Sequence, residues 1–255
     1  MILRHVRIPP AGLPGTLWLP RPCQGLVVLV HGSGSGRFDA RSAALAEALS
    51  QRRLAVLLLD LLTLQEERCR WNLFDTESSA NRLSGVIRWI GDQPDLAALP
   101  LGVFAVGTAA AAALTVAARS PIQAIVTYAG RPFLARERMD EIRVPTMLLV
   151  PESQGHLATQ NQFAYRRLAG PKAIKTIPWA GQLGNEADRT AGIAELAGSW
   201  FARHLRRNPR APAAVTGRPG RSASRKPHPQ RDGQAFRLPR DRELLPETQR
   251  QEFDA

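Results

Sequence analysis

The sequence predicts an α/β protein: a mostly parallel, eight-stranded sheet with helices on both faces. Short runs of consecutive apolar residues, the pattern of strands buried on both sides, alternate with longer Ala- and Leu-rich stretches of helical period. Alternation of this kind builds a parallel sheet through covered crossovers. The length of 255 residues, with 44% hydrophobic and 22% charged, suffices for a sizeable core, and no internal repeat points to a solenoid.

Residues 2–8 and 15–19 alternate as two short strands around the turn Pro9-Pro10-Ala11-Gly12. Leu26 to Val30 is a continuous apolar run that ends in His31-Gly32-Ser33-Gly34-Ser35-Gly36. A helix follows over 39–51 with Asp39 as its cap, then the strand Leu54 to Leu59, which ends at Asp60. A polar loop around Glu66 to Arg70 leads into an amphipathic helix over 75–92, stopped by Pro94. The strand Leu101 to Val106 and a helix over 108–119 come next, then the strand Ile122 to Tyr128 and a charged connection from Arg131 to Glu141. Val144 to Val150, with Pro145 near its start, a helix over 157–169, the strand Ala173 to Ile177 and a closing amphipathic helix over 190–205 complete the pattern.

From residue 206 the pattern stops. Residues 1–205 therefore form the expected domain, and 206–255 a basic, Pro- and Arg-rich tail that is expected to be disordered, with seven prolines and little apolar clustering. The tail holds 12 Lys+Arg against 6 Asp+Glu, half of the formal net charge of +12. Such a tail suits weak, salt-sensitive association with an acidic partner or nucleic acid. Its only aromatics, Phe236 and Phe253, do not make the stacking platform of a single-strand binder. No apolar run approaches a membrane span, and the N-terminal stretch lacks the pattern of a signal peptide. Two cysteines, Cys23 and Cys69, make neither a disulfide framework nor a metal cluster and read as reduced, buried thiols. The expectation is a cytoplasmic protein without metal or cofactor.

The chain is organised around Val103-Phe104-Ala105-Val106-Gly107-Thr108 and the alanines that follow. An apolar strand, a sharp turn and a small-residue helix are the shape of a nucleophile elbow, where a hydrolase displays its attacking side chain above a sheet. Together with the His-Gly-Ser-Gly-Ser-Gly loop, the segment Leu54 to Thr63, the approach Leu99 to Phe104 and the phrase Arg143 to Val150, this resembles the α/β-hydrolase fold and, within it, the small dienelactone-hydrolase-like esterases. The resemblance covers about residues 20–205. It implies a nucleophile on the elbow, a carboxylate after the seventh strand and a histidine after the eighth, in that chain order.

All three positions depart from that pattern. The elbow signature Gly-x-Ser-x-Gly is replaced by Ala105-Val106-Gly107-Thr108-Ala109, and Leu101 to Arg119 contains no Ser or Cys. Glycine adopts the strained positive φ of an elbow without steric cost, and a relaxed turn is expected to admit alanine at 105 and 109. Thr108 is the only hydroxyl there, and its side chain is expected to point one residue away from the attacking direction. The acid position falls on Gln154, with Glu152 two residues earlier and His156 two later. The base position falls on Gln182, and Leu157 to Arg203 contains no histidine. A glutamine hydrogen bonds but takes no proton near neutral pH.

What remains is the oxyanion half: backbone N–H groups of His31, Gly32, Ser33 and Thr108, a cup suited to a carboxylate or carbonyl. The alternative is that the glycines serve only the turn. The loop lacks the Lys-Ser/Thr of a phosphate-binding loop and the spacing of a dinucleotide fingerprint. Three functions follow: a pseudo-hydrolase that binds a small carboxylate or acyl ligand or a partner; an ester or lactone hydrolase with a displaced set, Thr108 with His156 and Glu152 or Asp60; and an interaction module acting through the basic tail.

Overall fold

The computed structural model describes residues 1–32, 36–178 and 185–206; the tail predicted to be disordered lies outside them from residue 207 on. The sheet has eight strands: β1 (Ile2–Ile8), β2 (Leu13–Leu19), β3 (Gly25–His31), β4 (Leu54–Asp60), β5 (Leu101–Val106), β6 (Ile122–Tyr128), β7 (Thr146–Pro151) and β8 (Lys172–Ile177). Their spatial order is β1-β2-β4-β3-β5-β6-β7-β8. Strand β2 pairs antiparallel with β1 and β4, and the remaining neighbours are parallel. The chain leaves β3 toward β4 on one side and returns to β5 on the other, a topological switch of the kind that opens a crevice at the carboxyl ends of the strands.

The apolar runs in the sequence become strands because helices cover both faces. Every residue of β3, β4 and β7 is buried. On one face Val28, Val30, Leu57, Leu59 and Val103 pack with α3 (Thr76–Gly91), α4 (Ala109–Ala117) and the apolar side of α5 (Gly155–Arg167). On the other, Val27, Leu29, Val56, Leu58 and Phe104 meet α1 (Ala40–Gln51) and the closing helix α6 (Glu186–His204). The alternation of adjacent residues between two clusters is the period of two of a strand read in three dimensions.

Caps set the helix starts. Asp39 accepts from the Arg41 N–H at the head of α1, and Asp75 from the Ser78 N–H at the head of α3. Thr63 and Glu66 form a reciprocal capping box on the short helix α2 (Leu64–Glu67), inside the stretch expected to be a loop. Arg82 of α3 pairs with Glu66 and holds that carboxyl down to about 2.

Three expectations need correction. The connection 131–141 is largely 3₁₀ helical, two short pieces within Pro132–Glu141 that meet at a kink at Ala135 (φ −109°, ψ 20°), which its charged composition did not suggest. Strand β7 starts at Thr146 because Pro145 has no N–H to pair; its carbonyl accepts from Ile125 at 2.8 Å. Cys69 is exposed and Cys23 half-buried, so the thiols are not core residues; Cys69 heads the 3₁₀ turn Arg70–Leu73, outside the helical layers. Among the described residues no helix is long and apolar enough to cross a membrane.

Candidate functional site

The parallel register puts the last residues of four strands in one row at the carboxyl edge: Asp60, His31, Val106 and Tyr128. The elbow rises from the middle of that row. Gly107 takes φ +62°, its N–H donates to the Tyr128 carbonyl at 3.1 Å, and its own carbonyl accepts from Arg131 N–H at 3.1 Å and Ala110 N–H at 3.2 Å. The turn is therefore not relaxed, contrary to expectation: three backbone bonds hold the left-handed geometry that favours glycine. Among the described residues a Cβ built on Gly107 meets nothing within 4 Å, so none of them fills the direction in which a nucleophile would project. Ala105 and Ala109 fit flanking positions while fully buried.

The room for them comes from the facing loop. A Cβ on Gly32 would lie 2.0 Å from Thr108 Oγ1 and 2.4 Å from Ala109 N, so only glycine passes beneath the elbow there. The same contact places the Thr108 hydroxyl. It lies against Gly32 at the end of β3, in a residue only 8% exposed.

The expected oxyanion cup is smaller than the sequence suggested. The Gly32 N–H donates to the Val106 carbonyl at 3.3 Å, so it is consumed in extending the β3–β5 ladder. His31 is the last residue of β3; its ring is buried and bonds Ser42 Oγ through Nε2 at 2.9 Å. Burial pushes this imidazole down to about 4, against the opposing pull of Asp39, so the ring is a neutral peg between β3 and α1. Ser33 lies outside the described residues. What stays available is Thr108 N–H, which has no backbone acceptor among the described residues, at the head of a helix without a side-chain cap.

The structure describes two of the three positions expected for a triad. Gly107 is the elbow, Gln154 is the exposed residue preceding α5, and Gln182 lies outside the described residues. Glu152 and His156 are exposed on either side of Gln154 and share no hydrogen bond or ion pair with Thr108 among the described residues. Asp60 is buried at the end of β4. Its Oδ2 accepts from Arg37 N–H at 3.0 Å, while Oδ1 has no partner among the described residues and burial raises its pKa. The displaced set Thr108–His156–Glu152 is thus not assembled.

Sequence reasoning missed the corner beyond the elbow. A cavity of about 220 Å³ opens there, lined by Val106, Tyr128 and Gln154 from the strand ends, Arg41 from α1, and Arg189 and Thr190 from α6. Arg41 forms a forked pair with Asp39, and Arg189 donates to both carboxylate oxygens of Glu186. Burial raises the Tyr128 phenol, while Arg189 and Arg41 act on it in the opposite sense. No local motif announces this set, because it joins four elements distant in the chain. A larger groove of about 780 Å³ lies at the far end of α4, around Thr115 and Arg119, away from the elbow. Among the described residues no three His, Cys, Asp or Glu side chains stand together as metal ligands.

Comparisons with known proteins place this geometry. The structure superposes on the dienelactone hydrolase of Anabaena variabilis with a TM-score of 0.72 at 35% identity, covering 80% of this chain and 98% of that one. An esterase domain from a Rhodothermus marinus protein shares the fold, with a TM-score of 0.61 at 18% identity over 80% and 99% of the two chains. Among curated proteins, two from strains of Mycobacterium tuberculosis that carry the provisional name phosphoribosyl transferase are 40% identical over 198 residues. The match takes in 77% of this chain but only 45% of theirs, so the chain spans less than half the length of those relatives. No protein-family model matches the chain.

Proposed function

The chain belongs to the dienelactone-hydrolase-like family of the α/β-hydrolase fold, and from that premise we propose that it is a non-catalytic member, a pseudo-hydrolase that binds a small carboxylate or acyl ligand at the carboxyl edge of its sheet. One observation carries the reading. The elbow backbone is kept at Gly107, with φ +62° and no described residue within 4 Å of where its Cβ would stand, while glycine itself has no side chain to attack with. The sequence adds that glutamine stands at both the acid and the base position. General-base assistance contributes about 10²–10⁴-fold, so a nucleophile alone does not make this site an enzyme.

The ester- or lactone-hydrolase alternative gains no support from the position of Thr108, whose hydroxyl is packed against Gly32. The transferase name of the Mycobacterium relatives belongs to proteins of which this chain spans under half, and no such activity is proposed for it.

The test is reconstruction. Gly107→Ser with Gln154→Asp and Gln182→His is assayed on a chromogenic short acyl ester, together with labelling by a fluorophosphonate. The parent chain is expected to be silent in both, and the triple variant to be labelled and to turn over ester. Rapid labelling of the parent, abolished by prior denaturation, would overturn the reading.

A further inference from the structure

We infer that the cavity beside the elbow is a site for a small oxyanion, held between the guanidinium groups of Arg189 and Arg41 with the Tyr128 hydroxyl between them. This rests on the reading that the site binds without cleaving, and it moves the charged end of the ligand from the elbow to the corner beyond it. The elbow offers Thr108 N–H, and Gly32 N–H is already used by Val106. A single amide donor and a helix end are a poor anchor for an anion. The corner offers two forked cations and a phenol.

The arithmetic of donors supports this. Asp39 occupies Nε and Nη2 of Arg41, and Glu186 occupies Nη2 of Arg189; Nη1 of each has no protein acceptor among the described residues. Each guanidinium carries five N–H donors, so each keeps an amino edge for a ligand. The Arg189 side chain is only 15% exposed, so an anion that meets it is screened less by water than on an open surface. Arg41, Arg189 and Tyr128 all line the cavity, which puts the three groups around one space. Asp39 lines the cavity and Glu186 stands against Arg189, so the two arginines and the two carboxylates balance, and a ligand anion is held by the N–H edges left open rather than by an excess of charge.

The replacement at residue 154 completes the argument. A hydrolase of this family is expected to hold a carboxylate in the loop after β7; here the cavity wall carries the neutral amide of Gln154. With a carboxylate there, an incoming anion would be repelled or the arginines drawn away. Without it, the corner lacks the negative charge that would orient a catalytic base. The volume of about 220 Å³ accommodates a carboxylate or phosphate group with a short organic body rather than a long acyl chain.

The test uses the full chain, with benzoate and inorganic phosphate as separate probes in titration calorimetry at low and moderate salt. The parent is expected to bind at least one probe saturably. Arg189→Gln is expected to weaken that binding at least about tenfold, and Gln154→Glu, which returns a negative charge to the wall, to weaken it as well. A preference for benzoate assigns the site to a carboxylate with an organic body, a preference for phosphate to a phosphoryl group. Unchanged binding in Arg189→Gln and Gln154→Glu, or no binding of either probe to the parent, overturns the inference. Neither result touches the absence of catalysis, which is judged separately by fluorophosphonate labelling.

Discussion

The elbow and the corner beyond it are held by different means, one by backbone and the other by side chains. At the elbow the backbone is kept and the reactive side chain is missing: Gly107 holds its positive φ through three backbone hydrogen bonds. At the corner side chains make the site, with glutamine at residue 154 and arginines 41 and 189 on the walls. Geometry and charge are separable properties of the site. The turn survives because it also joins β5 to α4 and receives β6, so removing it would cost fold stability.

That comparison breaks or sharpens under substitution, and Gly32→Ala is expected to have the largest effect. Its Cβ would stand 2.4 Å from the Ala109 backbone nitrogen, which cannot swing aside. A loss of about 3 kcal/mol or more is expected in the urea midpoint. Gly107→Ala, with nothing near its Cβ, is expected to cost only the strain of its dihedrals, about 1–2 kcal/mol. Equal losses for the two would show that the turn is not held as described.

The second expectation concerns acid. His31 sits at about 4 in the folded chain against 6.5 unfolded, so the unfolded state binds the extra proton between those values. Stability from this residue is complete above pH 6.5 and is lost as pH falls toward 4, by up to about 3 kcal/mol. Chemical denaturation at pH 7 and pH 4.5 measures it, and His31→Gln should flatten the difference.

The smallest effect is expected at Asp60. Burial raises its pKa, so its ionised form is a liability above the ordinary carboxylate range and not below it. Asp60→Asn keeps an oxygen for the Arg37 N–H and should make the chain slightly more stable at pH 7, with the gain vanishing as pH falls toward 4. A loss of stability at pH 7 would mean that the charge itself has a partner.

Much of the fold was legible in the sequence because its signals are local. Leu54 to Asp60 is all apolar until its final residue and is buried on both faces, and Asp39 and Asp75 cap the helices they precede. The segment Pro132–Glu141 escaped because a 3₁₀ helix lacks the 3.6-residue stripe that marks an amphipathic helix. At the site, Gly107 was legible from the strand–turn–helix pattern around it. The fate of the Gly32 amide was not, since it depends on how far the β3–β5 ladder extends. Arg41 and Arg189 look in sequence like ordinary arginines on solvent-facing helix turns. Only the convergence of α1 and α6 over the end of β6 gives them a common space.

The open side of Gly107 also makes this chain an instrument. Gly107→Cys would place a thiol at the head of α4, in room already present, with no histidine or carboxylate of a triad beside it. Helix N-termini lower thiol pKa, and in working hydrolases that influence is mixed with the influence of the base. Here the alkylation rate of such a thiol as a function of pH, compared between this variant and the same variant with Arg41 and Arg189 replaced by Gln, would separate the field of the turn and helix from that of the neighbouring arginines.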